Sequence, residues 1–182
     1  GLDASPNTID ELLSAEVIFV PGFIKKNNPV IWNKIKQAAE AGAKVIALNT
    51  PETQTAYPFA DRVIDTDNST AFLKSMAKAL IDMGKTSDAE GFDAFAASVA
   101  DAPLCDECRG AAEMYANAKK AMIVFQQNVL SVEAAELLAE IALLSGHIGK
   151  PRDGILEVKA KNNSQGLEDM GIRAGVESLD GV

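Results

Sequence analysis

Three stretches of this sequence combine residue type and spacing in ways that could do chemistry: Cys105-Asp106-Glu107-Cys108, Gly146-His147-Ile148-Gly149, and the polar row Asn162-Asn163-Ser164-Gln165. The C-x-x-C spacing suits half of a zinc or iron–sulfur site, or a redox pair. A four-ligand metal site needs two more donors, and the chain offers one histidine and carboxylates. Asp106 and Glu107, between the thiols, oppose thiolate formation. The favoured reading is therefore two unpartnered thiols near a helix start. His147 is the sole histidine, which excludes any mechanism built on a histidine pair. Its expected role is that of a loop residue hydrogen-bonding backbone. No G-x-S-x-G elbow and no H-E-x-x-H motif is present. The polar row follows an alternating apolar stretch, Ile155 to Val158, and is closed by Gly166. Asn and Gln carry donors and acceptors together, so such a row can line a buried polar surface without adding charge.

The elements that must position these groups follow from periodicity. Thr8 and Glu11 have capping-box spacing, so a short helix leads into an apolar run at 16–20 that reads as a buried strand. Asn28 as N-cap and Pro29 at the first helical position open a helix with Trp32, Ile35 and Ala39 on one face and Gly42 as terminator. A second buried strand follows at 43–49, completing a βαβ unit. A third strand is expected at 62–66, then a helix capped by Ser69 with Phe72, Met76, Leu80 and Met83 on one face, stopping at Gly84. Helices at 91–100 and 106–118, a fourth strand at 121–125 and a helix from Ser131 to Leu144 complete the pattern. This alternation predicts an α/β domain, doubly wound, with a mostly parallel sheet flanked by helices in the Rossmann-like manner. After Gly146 the chain becomes loop-rich, and a boundary is expected near 147. That gives a Rossmann-like unit over 1–146 and, over 147–182, the start of a return segment.

Composition excludes several functions. With 182 residues the chain can bury one real core, and its 5% aromatic content against abundant Ala, Leu, Ile and Val suits aliphatic helix-on-sheet packing. A net charge of -9, from 17 basic against 26 acidic residues, argues against nucleic acid and anionic membranes as partners. No apolar run approaches the roughly 20 residues that span a bilayer, so direct membrane insertion is not expected. Two cysteines are too few for a disulfide framework and suit a reducing compartment, the cytoplasm. The start at Gly1 without Met suggests a processed or excised piece of a longer protein. In an open α/β sheet, ligands sit beyond the carboxyl ends of the strands, so the loops after residues 20, 49, 66 and 125 are the ones to search. The first holds one glycine instead of G-x-G-x-x-G, which argues against an ordinary nicotinamide or flavin site.

Gly146, Ile148, Gly149, Lys150, Pro151 and Gly154, followed by Asn162, Asn163, Gln165, Gly166, Asp169, Met170 and Gly171, resemble two ordered motifs of the molybdopterin oxidoreductase superfamily. "TIDELLSAEVIFVPG", "AAEAGAKVIALN", "TQTAYPFADRVI" and "AAEMYANAKKAMIVF" look like the successive elements of that family's third domain. The resemblance covers nearly the whole chain. It implies a fragment of an oxidoreductase, with iron–sulfur clusters in an upstream part and the polar row at the floor of a cofactor cleft. It would place cofactor-facing residues at Gly22, Asn49, Asn128, Lys159, Lys161, Asn163, Gln165 and Gly166. Lys159 has a second reading as a solvated lysine at a strand end, which is favoured.

Departures from the family pattern shape the functional expectation. Gly22-Phe23-Ile24-Lys25 stands where the family carries Gly-x-Asn-Pro, Asn49-Thr50-Pro51 where it carries Asp-Pro-Arg, and Asn68-Ser69-Thr70 where it carries Gly-Thr-Asp. Gln126-Gln127-Asn128 replaces a glycine-containing turn. A carboxylate can accept both the N1-H and the exocyclic amine of guanine, which a neutral Asn or Thr does less well. The first expectation is therefore a scaffold domain similar to that of the large iron–sulfur subunit of NADH:quinone oxidoreductase, an electron-transfer subunit, holding no cofactor itself. The second is a domain of a working molybdenum or tungsten enzyme such as formate dehydrogenase, with molybdopterin guanine dinucleotide. The third is a stand-alone α/β binding domain. Under the first two, the partners are the remaining domains of the parent chain and redox partner subunits.

Overall fold

A computed structural model describes residues 7–22, 25, 28–50, 57–126, 129–148, 153–159, 166 and 170. The chain enters through a 3-10 helix, Ile9–Ser14, where Glu11 accepts the Thr8 N–H at 2.9 Å as the capping spacing requires. Strand β1 (Val17–Pro21) leads through α1 (Pro29–Glu40) to β2 (Lys44–Asn49) and β3 (Arg62–Asp65). Helices α2 (Ser69–Asp82), α3 (Phe92–Val99) and α4 (Asp106–Ala116) then return the chain to β4 (Ala121–Gln126), and α5 (Val132–Leu144) carries it to β5 (Gly154–Val158). All four strand pairings are parallel, in the order β3-β2-β1-β4-β5. The expected doubly wound α/β fold is what forms. The strand-like stretch beyond the boundary drawn at 147 is the fifth strand of this same sheet, with Met122 opposite Gly154 and Gln126 opposite Val158.

Alternation along the strands sorts the apolar residues into two cores. Phe19, Ile46, Leu48, Ile123 and Ile155 face α2, α4 and α5, while Ile18, Val20, Val45, Met122, Val124 and Leu156 face α1 and the 3-10 helix. The central strands are therefore apolar on both sides, as a sheet covered on both faces requires. Each fully buried aliphatic or aromatic side chain contributes roughly 1.5–3 kcal/mol relative to its exposed state. Trp32 and Ile35 of α1 are buried as expected, and Trp32 packs on Tyr57 and Phe59 at 4.7 and 4.9 Å between centroids.

Local chemistry departs from expectation at three places. The α2 cap is Asn68, one residue before Ser69, because its side-chain oxygen reaches Ala71 N–H at 3.0 Å. Met83 caps the other end at 40% exposure and leaves the apolar face to Phe72, Met76 and Leu80. Cys105 and Cys108 are joined as a disulfide rather than standing as unpartnered thiols. Residues three apart share a face of a helical turn, and here the turn sets their Cα atoms 5.2 Å apart, within bridging range.

His147 does more than bond backbone. Its Nε2 lies 3.0 Å from the Tyr115 carbonyl and its Nδ1 2.7 Å from Asp153 Oδ1. Asp153 Oδ1 also accepts the Ala121 N–H at 3.0 Å. Each ring nitrogen thus has an oxygen within hydrogen-bond distance. One buried cluster thus ties the end of α5, α4 and the starts of β4 and β5 together. Tyr115 is fully buried beneath it, and its hydroxyl finds no hydrogen-bond partner among the described residues. Burial, and then the Asp153 charge, push that hydroxyl well above its usual 10. It stays neutral in the folded protein while the unfolded chain ionises, so this group lowers stability as pH rises past about 10.

Replacing Asp153 by Ala strands the His147 ring and the Ala121 N–H, and is expected to cost roughly 3–5 kcal/mol in urea unfolding. A loss below about 1 kcal/mol would contradict the role given to this cluster. Tyr115→Phe removes an orphan hydroxyl and is expected to be neutral or stabilising in the same assay, and to lessen the alkaline loss.

Candidate functional site at the carboxyl edge of the sheet

Strand order reverses between β1 and β4, since β1 continues outward to β2 and the chain returns to β4 on the other side. In such sheets, ligands bind outside the carboxyl ends at this switch point. Gly22 directly follows β1 there. Its N–H donates to Leu48 O at 2.8 Å, and its carbonyl accepts the Tyr57 hydroxyl at 3.1 Å. Its φ of 92° suits glycine, and a Cβ at this position would stand 2.7 Å from Val129 Cγ1. Gly22 and Val129 therefore approach each other across the switch point, with no room for a side chain on Gly22.

Beside this contact lies a polar pocket of about 290 Å³ lined by Thr50, Asp67, Asn68, Ser69, Thr70, Val129 and Ser131. Two helices start at it. Asn68 caps α2, Ser131 caps α5 through Ala134 N–H at 3.1 Å, and the Thr70 and Ser131 hydroxyls lie 3.3 Å apart. Lys74 and Glu133 bridge the two helices one turn further on, at 2.6 Å. Both helix amino termini bring the positive ends of their dipoles to this pocket, a setting that favours anions. Asp67, exposed at the mouth, supplies a carboxylate.

Of the residues singled out from the sequence, Gly22 and Asn49 reach this edge. Asn49 is buried, and its Nδ2 donates to Asp65 Oδ1 at 3.2 Å, which ties the ends of β2 and β3. Lys159 lies past β5 with its side chain 9% exposed and its Nζ 3.8 Å from Glu157 Oε2, so it is a covered, charge-compensated lysine rather than a solvated one. Glu157 precedes it by two residues, the spacing that puts side chains on one side of an extended chain. Gly166 sits in a helical turn whose carbonyl accepts the Met170 N–H at 3.2 Å. Asn128, Lys161, Asn163 and Gln165 lie outside the described residues.

Sequence reasoning missed Asp67. The segment that aligns with the family's carboxylate-bearing turn, 68–70, is neutral, while the carboxylate stands one residue earlier. The available signal was an acidic residue directly before the helix cap, two residues past the end of β3. Also missed was Gln126, which ends β4 at 4% exposure with its Oε1 lacking a hydrogen-bond partner among the described residues. A buried acceptor left unmade costs roughly 1–3 kcal/mol, so its place at the ligand edge is notable.

A larger cavity of about 500 Å³ opens at the opposite end, where Val17, Lys44 and Arg62 begin their strands. Position decides between the two in favour of the carboxyl edge, where strand ends and helix starts converge. Among the described residues, no group of three or more His, Cys, Asp or Glu side chains is placed to hold a metal ion. No described helix is long and apolar enough to cross a membrane.

Fold and pocket define a Rossmann-like α/β domain with a small polar, anion-favouring cleft at its switch point. No protein-family profile matches the chain. Over 94% of its length it is nonetheless homologous to formate dehydrogenase chains of the molybdopterin oxidoreductase family, the group that its two glycine- and amide-rich motifs resemble. It is 32% identical to formate dehydrogenase H of Escherichia coli strain K12. It is 27% identical to the alpha subunit of F420-dependent formate dehydrogenase 2 of Methanococcus maripaludis and to the corresponding alpha subunit of Methanocaldococcus jannaschii. The chain spans 27–29% of the length of these relatives. All three are named for formate dehydrogenase rather than for NADH:quinone oxidoreductase, so the NADH:quinone reading gains no specific support.

The Gly22–Val129 contact makes a sharp expectation. Gly22→Ala combines a clash with positive φ and is expected to destabilise the domain by roughly 1–3 kcal/mol in chemical denaturation. An unchanged midpoint would mean that Gly22 and Val129 do not approach each other as described.

Proposed function

We propose that this domain binds the guanine-nucleotide arm of a molybdopterin cofactor within a larger formate dehydrogenase. The observation that carries the reading is Asp67 at the mouth of a polar pocket into which α2 and α5 both start. The chemistry of these groups fits the arm. A carboxylate can accept both guanine edge donors, the hydroxyls of Thr50, Thr70 and Ser131 suit a ribose, and two helix amino termini suit a diphosphate. The volume is near the lower end of ligand pockets and matches part of a dinucleotide rather than the whole. Gln126 adds a buried acceptor at the same edge, without a partner among the described residues.

When bound, the cofactor would supply the metal-centred redox chemistry, on substrate held elsewhere in the parent chain. This chain's contribution is binding and orientation. Gly22 and Val129 fix the loops, Asn68 and Ser131 hold the helix starts, and Asp67 selects the base. The scaffold reading, in which the fold persists without a nucleotide, rests on Asn49 and Thr70 standing where the family carries carboxylates and Asn68 where it carries glycine; the presence of Asp67 weighs against it. The names of the relatives support formate as the parent's substrate.

Isothermal titration with GDP is expected to show saturable binding, weakened at least tenfold by Asp67→Asn and by competition with GMP. Adenosine diphosphate is expected to bind distinctly more weakly, because its base offers no paired donors to the carboxylate. No heat change at millimolar GDP, or equal affinity for both bases, would count against the reading.

A further inference from the structure

The Cys105–Cys108 bridge lies outside this site, and nothing in the nucleotide-binding reading uses it. Cys105 occupies the N-cap of α4, and its Sγ accepts the Cys108 N–H at 3.1 Å. The two cysteines differ in exposure: Cys105 is partly exposed, while Cys108 is 2% exposed within the larger core. The bridge closes a loop of four residues, for which chain-entropy arguments give about 2 kcal/mol, less than for a long loop. Such a clip adds little to a helix already held by Ala111, Ala112 and Tyr115 in the core.

We propose that Cys105–Cys108 is a thiol–disulfide exchange site that takes electrons from a dithiol reductant. Cys105 is the sulfur open to attack. A thiolate of the reductant bonds to Cys105 Sγ, the Cys105–Cys108 bond breaks, and its electron pair leaves on Cys108 Sγ, which takes up a proton. The second thiolate of the reductant then attacks its own sulfur in the mixed disulfide and closes a cyclic disulfide. Cys105 is released as a thiolate and protonated. Two electrons and two protons pass to the protein, and the reductant is oxidised to its disulfide. The Cys108 N–H that caps Cys105 Sγ in the bridged form can also support the thiolate released there, with the α4 amino terminus behind it.

Asp106 and Glu107 are both exposed and flank the point of attack. They repel an anionic thiolate and set a slow rate, which distinguishes direct attack from opening of the whole domain. In the native intact protein, millimolar reduced dithiothreitol followed by iodoacetamide is expected to add two carbamidomethyl groups by mass, with circular dichroism unchanged. Asp106→Asn together with Glu107→Gln is expected to speed this reduction several-fold. Cys108→Ser, treated with oxidised glutathione, is expected to hold one glutathione on Cys105. Should that variant not fold, the wild-type rate decides. Modification that appears only after unfolding, or that rises with denaturant and ignores the two carboxylates, would overturn the proposal.

Discussion

The parallel pairing of β1 with β4 is the constraint on which the rest of the structure depends. Val17, Ile18 and Phe19 register against Ala121, Met122 and Ile123, residues more than a hundred positions away. That pairing places the first βαβ unit on one side and the returning chain on the other. Alternation of side chains across the same strands then fixes which residues meet α1 and which meet α2, α4 and α5. A slip of one residue would exchange the two cores and leave neither packed.

The pairing also decides what each end of the sheet can do. At the amino ends, the His147–Asp153 cluster fastens α4, α5, β4 and β5, and this end is committed to holding the fold. At the carboxyl ends, Gly22 and Val129 touch, and two helix starts converge on a polar pocket carrying one exposed carboxylate. Stability and recognition are thus separated along the strand direction. On the proposed reading, a nucleotide would bind at one edge with little consequence for the packing at the other.

Much of this was legible in the residues. The runs at 16–20, 43–49 and 121–125 are apolar throughout because their strands are covered on both faces, and that pattern survives without tertiary information. Pro29 and Ser131 announced helix starts by chemistry local to the chain. The motifs near 146–154 and 162–171 resemble the family of the formate dehydrogenase homologues. What was not legible depended on long-range geometry. Asp67 becomes a site residue only when the loop after β3 meets the segment before α5, 61 positions on in the case of Thr70 and Ser131. His147 reaches Tyr115 across 32 positions, and no local pattern signals that contact. The cysteine bridge is local: the helix start at Asp106 was expected and sets the two Cα atoms 5.2 Å apart, but C-x-x-C spacing alone does not distinguish a bridge from two thiols.

The most direct test of a nucleotide-binding carboxyl edge is to map amide chemical-shift changes by NMR as GDP is added. The account expects shifts concentrated at Thr50, at Asp67 to Thr70, and at Val129 and Ser131, with Val17, Lys44 and Arg62 undisturbed. Shifts gathered instead around the cavity at the amino ends, or none at saturating GDP, would contradict it.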